Sequence, residues 1–388
     1  MSNVKTSRSA WTVVDLGRLT YNIQQIQNKL GPSHRIMGVI KANAYGHGSI
    51  AVAGILRHMG IEDFAVATLD EALKLRYAGF DENIHILSIC PDTAADTLVD
   101  NDLSPLISTL HNARAVAERA VYYNKTIDVF VAIDTGMGRI GFHRDDPAMV
   151  DEIKEICALD GLHVRGLLTH FANADEADKT FMREQLEEFI LCVQELRGAG
   201  LELPELCAAN SAAVMEAPET WLDLTRPGII LYGEYPSEEV HRSELDLRPV
   251  MSVKAKIIRL RRVPTGFTVS YGRRFTAQRP SLIATIPLGY ADGLPRKVAA
   301  EGRVIIHGHY APYAGTINMD QCMIDVTDIP DVSEGDTVTI LGEDGDLRIT
   351  ATDIARQCDT INYEILCGFG QRLSRVYRRG KQRKREEK

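Results

Sequence analysis

The chain has 388 residues, of which 45% are hydrophobic and 25% charged, and a formal net charge of −9. Such a length exceeds one ordinary domain, so a large domain and a smaller one are expected. The acidic balance argues against nucleic acid as a main partner, and no uninterrupted apolar stretch is long enough to span a bilayer.

The first residues, MSNVKTSRSAW, carry no apolar signal core. The seven cysteines (Cys90, Cys157, Cys192, Cys207, Cys322, Cys358 and Cys367) form no CxxC pair. Both features read as a cytoplasmic protein with no disulfide framework and no metal site.

Between residues 34 and 233, short runs rich in Val, Ile and Leu alternate with amphipathic stretches. The runs are 34–42, 61–69, 82–89, 103–109, 126–135, 163–171, 205–211 and 223–233. EALKLRYAGF and TFMREQLEEFILCVQELRGAG between them read as helices. Strands alternating with helices imply parallel pairing, and eight of them suit an N-terminal (β/α)8 TIM-type barrel. An open doubly wound sheet has the same alternation, and counting alone does not separate the two.

A barrel collects function at the C-terminal ends of its strands. Polar residues do gather where the runs finish: Lys41 and Tyr45, Asp134 to Arg139, His170, and Asn210 with Ser211. Arg226 falls early in the eighth run. After about residue 240 the texture becomes alternating strands, interrupted by the helix-like ATDIARQC. We expect a barrel over 1–240 and a mostly-β domain over 241–388, with the N-terminal strand as a candidate member of the latter. The last residues, from Arg378 to Lys388, are strongly basic and read as a solvated tail rather than a docking site.

KANAYGHGS after a strand places a lysine beside a glycine-rich turn. Such a lysine can hold a phosphate or, when partly desolvated, form an imine with an aldehyde cofactor. A plain exposed turn lysine is the alternative.

Taken in order, MGVIKANAYGHG, AIDTGMGRIGF, LLTHFANADE, AANSAA, LTRPGIILYGEYPS, VSYG, IPLGYADGLPR, NMDQCMIDV and TINYEILC resemble the signature segments of alanine racemases. The resemblance runs over nearly the whole chain. It implies a barrel followed by a β-domain, pyridoxal 5'-phosphate as cofactor, and a homodimer with shared active sites. It also implies a small amino acid as substrate and D-alanine supply to peptidoglycan as the role.

Residue by residue, the resemblance makes Lys41 the Schiff-base lysine. It makes Tyr45, Ser211, Gly228 and Ile229 phosphate contacts. Arg139 matches the arginine near the cofactor phenolic oxygen, and Arg226 the one facing the pyridine nitrogen. His170 matches the histidine supporting Arg226 and a catalytic tyrosine. That tyrosine is Tyr271, a second base reaching the barrel mouth from the other subunit. Met319 matches a substrate-carboxylate contact, while Tyr290, Arg296 and Asp175 match the access corridor. Asp292 and Asp320 read equally as structural turn residues.

The chemistry accounts for these types. Racemisation removes the Cα proton from one face and returns one to the other, so two bases on opposite faces suffice. A phenol with its usual pKa near 10 is a poor base, and the linked His170 and Arg226 can lower it. An arginine is always cationic, so at the pyridine nitrogen it keeps that nitrogen unprotonated and suppresses transamination.

Three positions depart from the family pattern. Ala132 stands where many members carry a carbamylated lysine that orients the arginine of DTGMGR. Thr316 stands for an arginine. Gln371 replaces a tyrosine that bounds the substrate pocket, as an amide does in serine-accepting racemases linked to vancomycin resistance; serine is therefore an alternative substrate. A decarboxylase of the same cofactor class and a non-catalytic cofactor-binding barrel compete with the racemase. Arg226 speaks against the first, and the β-domain bearing Tyr271 and Met319 against the second.

Overall fold

The computed structural model describes residues 8–379. These form two compact units, one made of 20–44 and 49–247, the other of 8–19, 45–48 and 248–379. The basic tail beyond Arg379 lies outside the described residues. Among the described residues no helix is long and apolar enough to cross a membrane.

Strand β1 (Ala10–Asp15) belongs to the second unit. The first unit is the barrel. Strands β2 (Arg35–Val39), β3 (Asp63–Val66), β4 (Asn83–Ile86), β5 (Ser104–Ile107), β6 (Ile127–Ala132), β7 (Leu162–Leu168), β8 (Glu205–Cys207) and β9 (Leu224–Thr225) run parallel, and β9 pairs back onto β2. β3 and β5 are buried along their whole length, as strands covered on both faces must be. Closure excludes the open sheet that counting left possible.

The eighth run differs from its expectation. Only Leu224 and Thr225 are strand, and Ile229–Tyr232 form a 3-10 turn with every side chain buried. Pro227 supplies no ladder donor, so the strand stops there and the apolar residues fill the core as a turn instead. Arg226 thereby falls directly past a strand end.

At the opposite end of the barrel, Asp63 opens β3 and is 2% exposed. Its carboxylate meets Arg165 Nη1 at 3.0 Å and His85 Nε2 at 2.9 Å, and Arg35 also reaches it. Glu205 accepts from both arginines in turn. Burial alone would raise the Asp63 pKa, but His85 and the two guanidinium groups hold it well below the usual carboxylate range. A depressed carboxylate pKa adds stability above the unfolded value, near 3.9, and that stability disappears as pH falls through the folded value. Asp63→Asn should therefore cost about 3 kcal/mol at neutral pH, the size expected for breaking a buried pair. The variant should also lose less further stability than wild type when urea melts are repeated near pH 3.

The second unit is β-rich. β10 (Met251–Lys256) pairs antiparallel with β1, and β11 (Arg259–Val263) follows directly. β12 (Thr268–Val269) and β13 (Phe275–Thr276) make a short antiparallel pair. β14 (Ser281–Ile286) pairs with β11 and with β17 (Cys322–Asp325); β15 (Arg303–Ile306) and β16 (His309–Pro312) form a hairpin. β18 (Thr337–Asp344), β19 (Leu347–Ile349) and β20 (Ser374–Arg378) complete the fold. The main sheet runs β16-β15-β18-β10-β1-β20, with β1 parallel to β20. The helix over ATDIARQC forms at Ala351–Cys358, capped by Thr350. A second helix, Asn362–Gly368, adds to the one expected.

Candidate active site

Lys41 directly follows β2 and opens a backbone excursion. Ala42, Asn43, Ala44 and Tyr45 all have φ between 50° and 56°, a left-handed turn built without glycine. Each such residue costs roughly 1–2 kcal/mol, so the fold must hold the turn from outside. Glu71 accepts from Ala42 N at 2.6 Å and from Ala67 N at 2.9 Å. The Asn43 side-chain oxygen accepts from Lys74 Nζ at 2.9 Å and from Ser49 N at 3.1 Å. Hydropathy gives no sign of either clamp, although T-x-x-E at Thr68–Glu71 marks a helix start.

Lys41, Arg139, His170 and Arg226 line one cavity of about 280 Å³, walled by Ala132, Leu168 and their neighbours. Arg226 is 3% exposed. Its guanidinium donates to the carbonyls of Thr169 (2.6 Å) and Ala208 (3.1 Å), to Cys207 Sγ (2.8 Å), and to His170 Nδ1 (3.1 Å). None of these acceptors is a carboxylate, so the charge is fixed in place without being neutralised. An arginine only donates, which makes His170 Nδ1 the acceptor and puts the ring proton on Nε2. Burial, followed by Arg226, Arg139 and Lys41, pushes the His170 pKa down to about 3, so the imidazole is neutral at physiological pH.

Arg139 lies on the loop after β6. Asp134 gathers the N–H groups of Gly136, Gly138 and Arg139 at 3.0, 3.0 and 3.1 Å. Those bonds overcome burial and keep the Asp134 carboxyl below its ordinary range. With Ala132 buried in the wall, the backbone of Arg139 is held by this carboxylate cradle.

Ser211 opens the short helix Ser211–Glu216, whose cap is Asn210. Gly228 N–H donates to Ser211 Oγ at 2.8 Å, and Arg226 N–H to the Ala209 carbonyl at 2.9 Å. The loops carrying Ser211, Gly228 and Ile229 are therefore joined side by side, next to Arg226. Asp175 is half-buried, and burial raises its carboxyl pKa.

The remaining expected residues belong to the second unit. Tyr45 is buried there, its ring 6.0 Å from that of Tyr363, and burial raises its phenol. Tyr271 sits in the turn between β12 and β13 and is 74% exposed, not the half-buried strand position that an isolated strand tyrosine would take. Met319 is 53% exposed rather than core. Tyr290 is also exposed, with the Arg296 guanidinium 5.9 Å from its ring centre. Gln371 is exposed, next to Arg372. Arg372 bonds Asp320 at 2.6 Å and lies 3.5 Å from Asp292, whose carboxylate also takes Gly289 N–H at 2.9 Å and Arg8. Asp292 and Asp320 thus have a structural place. Among the described residues no cluster of side chains has the makings of a metal site.

A closed parallel barrel with a lysine, two arginines and a neutral histidine around a cavity at its mouth has the architecture of a barrel enzyme. The family model described as alanine racemase, N-terminal domain, matches residues 14–236, and the one for the C-terminal domain matches 250–377. An alanine racemase of Clostridium kluyveri is 42% identical over 373 residues, 96% of this chain and 95% of that protein. The solved alanine racemase of Clostridium difficile 630 superposes with a TM-score of 0.93 at 37% identity, covering 97% of both chains. That of Bacillus anthracis with bound L-Ala-P gives 0.91 at 32% identity, covering 98% of this chain and 97% of that one. The chain belongs to the alanine racemase family, and is an amino-acid racemase.

Proposed function

We infer that the barrel mouth is where this chain interconverts L- and D-alanine, with pyridoxal 5'-phosphate as cofactor and a second copy of the chain completing the site. The observation that carries the reading is the convergence of Lys41, Arg139, His170 and Arg226 on one cavity beside the joined Ser211 and Gly228 loops. The donor set fits the cofactor. Ser211 Oγ already accepts from Gly228, which leaves its own hydrogen to donate toward a phosphate together with the N–H of Ile229. Arg226, held only by neutral acceptors, suits an unprotonated pyridine nitrogen, and Arg139 suits a phenolic oxygen. Lys41 would hold the aldehyde carbon.

When bound, the cofactor supplies an electron sink that acidifies the substrate Cα–H. Lys41 Nζ then moves a proton at one face of Cα and Tyr271 Oη at the other. The exposure of Tyr271 and Met319 supports their meeting a barrel on another copy. His170, neutral with its proton on Nε2, offers a donor to the tyrosine oxygen. The apolar wall of Ala132 and Leu168 strengthens each of these electrostatic effects. A cytoplasmic enzyme supplying D-alanine for peptidoglycan fits the same reading.

The test is incubation of holoenzyme with L-alanine in D2O. Cα deuteration, loss of optical rotation and no CO2 release are expected. Release of CO2 would instead identify a decarboxylase, and absence of exchange a binding protein.

A further inference from the structure

Ser270 stands at φ 66°, ψ 179°, a region that is essentially glycine's own, and immediately precedes Tyr271. Serine in that conformation is costly unless its side chain returns something. Here the hydroxyl donates to the Thr316 carbonyl at 2.6 Å and lies 2.9 Å from the Asn318 side-chain amide. Thr316 returns a bond, its own hydroxyl donating to the Tyr271 carbonyl at 3.3 Å. Between them Gly315, at φ 86°, lets the two loops touch: a Cβ there would lie 2.8 Å from Val269 O and 2.9 Å from Ser270 Cβ. Below the turn, Val269 packs with Val263, Ala277, Ile283 and Ala314.

The lacing continues to a third loop. Tyr290 N–H donates to the Asn318 carbonyl and Ala291 N–H to the Met319 carbonyl, both at 3.0 Å. Arg372 links Asp292 to Asp320 across the same junction. Tyr271, Met319 and Tyr290 are therefore carried by loops bonded to one another. Exposed loops so tightly cross-bonded are preorganised before any ligand arrives.

We propose that Ser270 is a positioning residue which, through Thr316 and Asn318, fixes Tyr271 against the Met319 loop as a preformed half-site. Thr316, standing where the family has an arginine, is part of this clamp. The inference rests on the reading of Tyr271 as the second proton-transfer group, and it assigns Ser270 no contact with substrate.

The experiment compares wild type, Tyr271→Phe, Ser270→Ala and Ser270→Gly holoenzymes, each given L- or D-alanine separately in D2O. Tyr271→Phe should lose Cα exchange from one enantiomer and retain exchange, without inversion, from the other. Ser270→Ala should show the same asymmetry in milder form, about tenfold or more on the affected enantiomer, as expected for a misplaced group. Ser270→Gly relieves the backbone and keeps the variant folded, yet lacks the hydroxyl, so it should show the asymmetry too. A second readout needs no cofactor. With 3-fluorotyrosine incorporated, the Tyr271 fluorine line is assigned by its loss in Tyr271→Phe. In the apo-protein that line should be single and narrow in wild type, and broad or split in both Ser270 variants. Equal loss of exchange from both enantiomers, or an unchanged fluorine line, overturns the proposal for Ser270 while leaving Tyr271 standing. Symmetric behaviour of Tyr271→Phe itself overturns both.

Discussion

Lys41→Ala should lower racemisation by about 10⁴-fold, the upper range for a lost acid–base group, and should abolish the imine absorbance near 420 nm. Tyr271→Phe should keep that absorbance and lose inversion. The two defects reside in different units of the chain, the lysine in the barrel and the tyrosine in the β-rich unit. If each site combines a barrel with the tyrosine of a second copy, mixing the two inactive variants creates hybrids with one site doubly defective and the other intact. Random reassociation of a two-fold dimer should then restore about a quarter of wild-type activity. No recovery after denaturation and joint refolding would place Lys41 and Tyr271 of one chain in one site.

Arg226→Glu should lower the racemisation rate by about 10²–10³-fold, as removal of a fixed electrostatic partner does. The ratio of transamination to racemisation should rise. The surroundings sharpen this expectation. The side chain at position 226 faces two carbonyl oxygens, a thiol sulfur and His170 Nδ1. A carboxylate there meets two carbonyl oxygens and a ring nitrogen that accept, with the Cys207 thiol as a weak donor at best, so the introduced glutamate would be driven toward its protonated form and become a proton source for whatever nitrogen it faces. Pyridoxamine-type product, measured by single-turnover absorbance, tests this. An unchanged ratio would mean that the charge at this position does not govern the fate of the carbanion.

Much of the site is legible in the sequence because its residues fall at the ends of apolar runs, where barrel geometry collects them. Lys41, His170 and the Asp134–Arg139 loop need only that rule. Arg226 is harder, since Pro227 ends β9 and turns Ile229–Tyr232 into a 3-10 segment that reads as strand by hydropathy. The partners of these residues are not legible. Cys207 looks like an ordinary core cysteine, and its contact with Arg226 joins residues 19 apart that meet only because β8 and β9 are neighbours. Ala42 and Glu71 are 29 positions apart, and their bond is visible only once β2 and β3 lie side by side. Ser270 is hidden for a different reason: the letter S carries no sign of a glycine-like φ. In each case the missing information is tertiary, set by which loops the folded chain brings together.

The left-handed turn after Lys41 bears on how the enzyme comes into being. Four successive non-glycine residues in that conformation represent roughly 4–8 kcal/mol, against which the Ala44 N–H bond to the Ile40 carbonyl is a small local return. A nascent chain has little reason to populate it, because Glu71 and Lys74 reach the turn only after the neighbouring barrel segments have docked. The lysine therefore acquires its presentation late, as a product of assembly rather than of its own sequence neighbourhood. On the proposed reading, maturation should be ordered accordingly: the barrel closes first, and an aldehyde cofactor is captured afterwards by a protein already built to receive it.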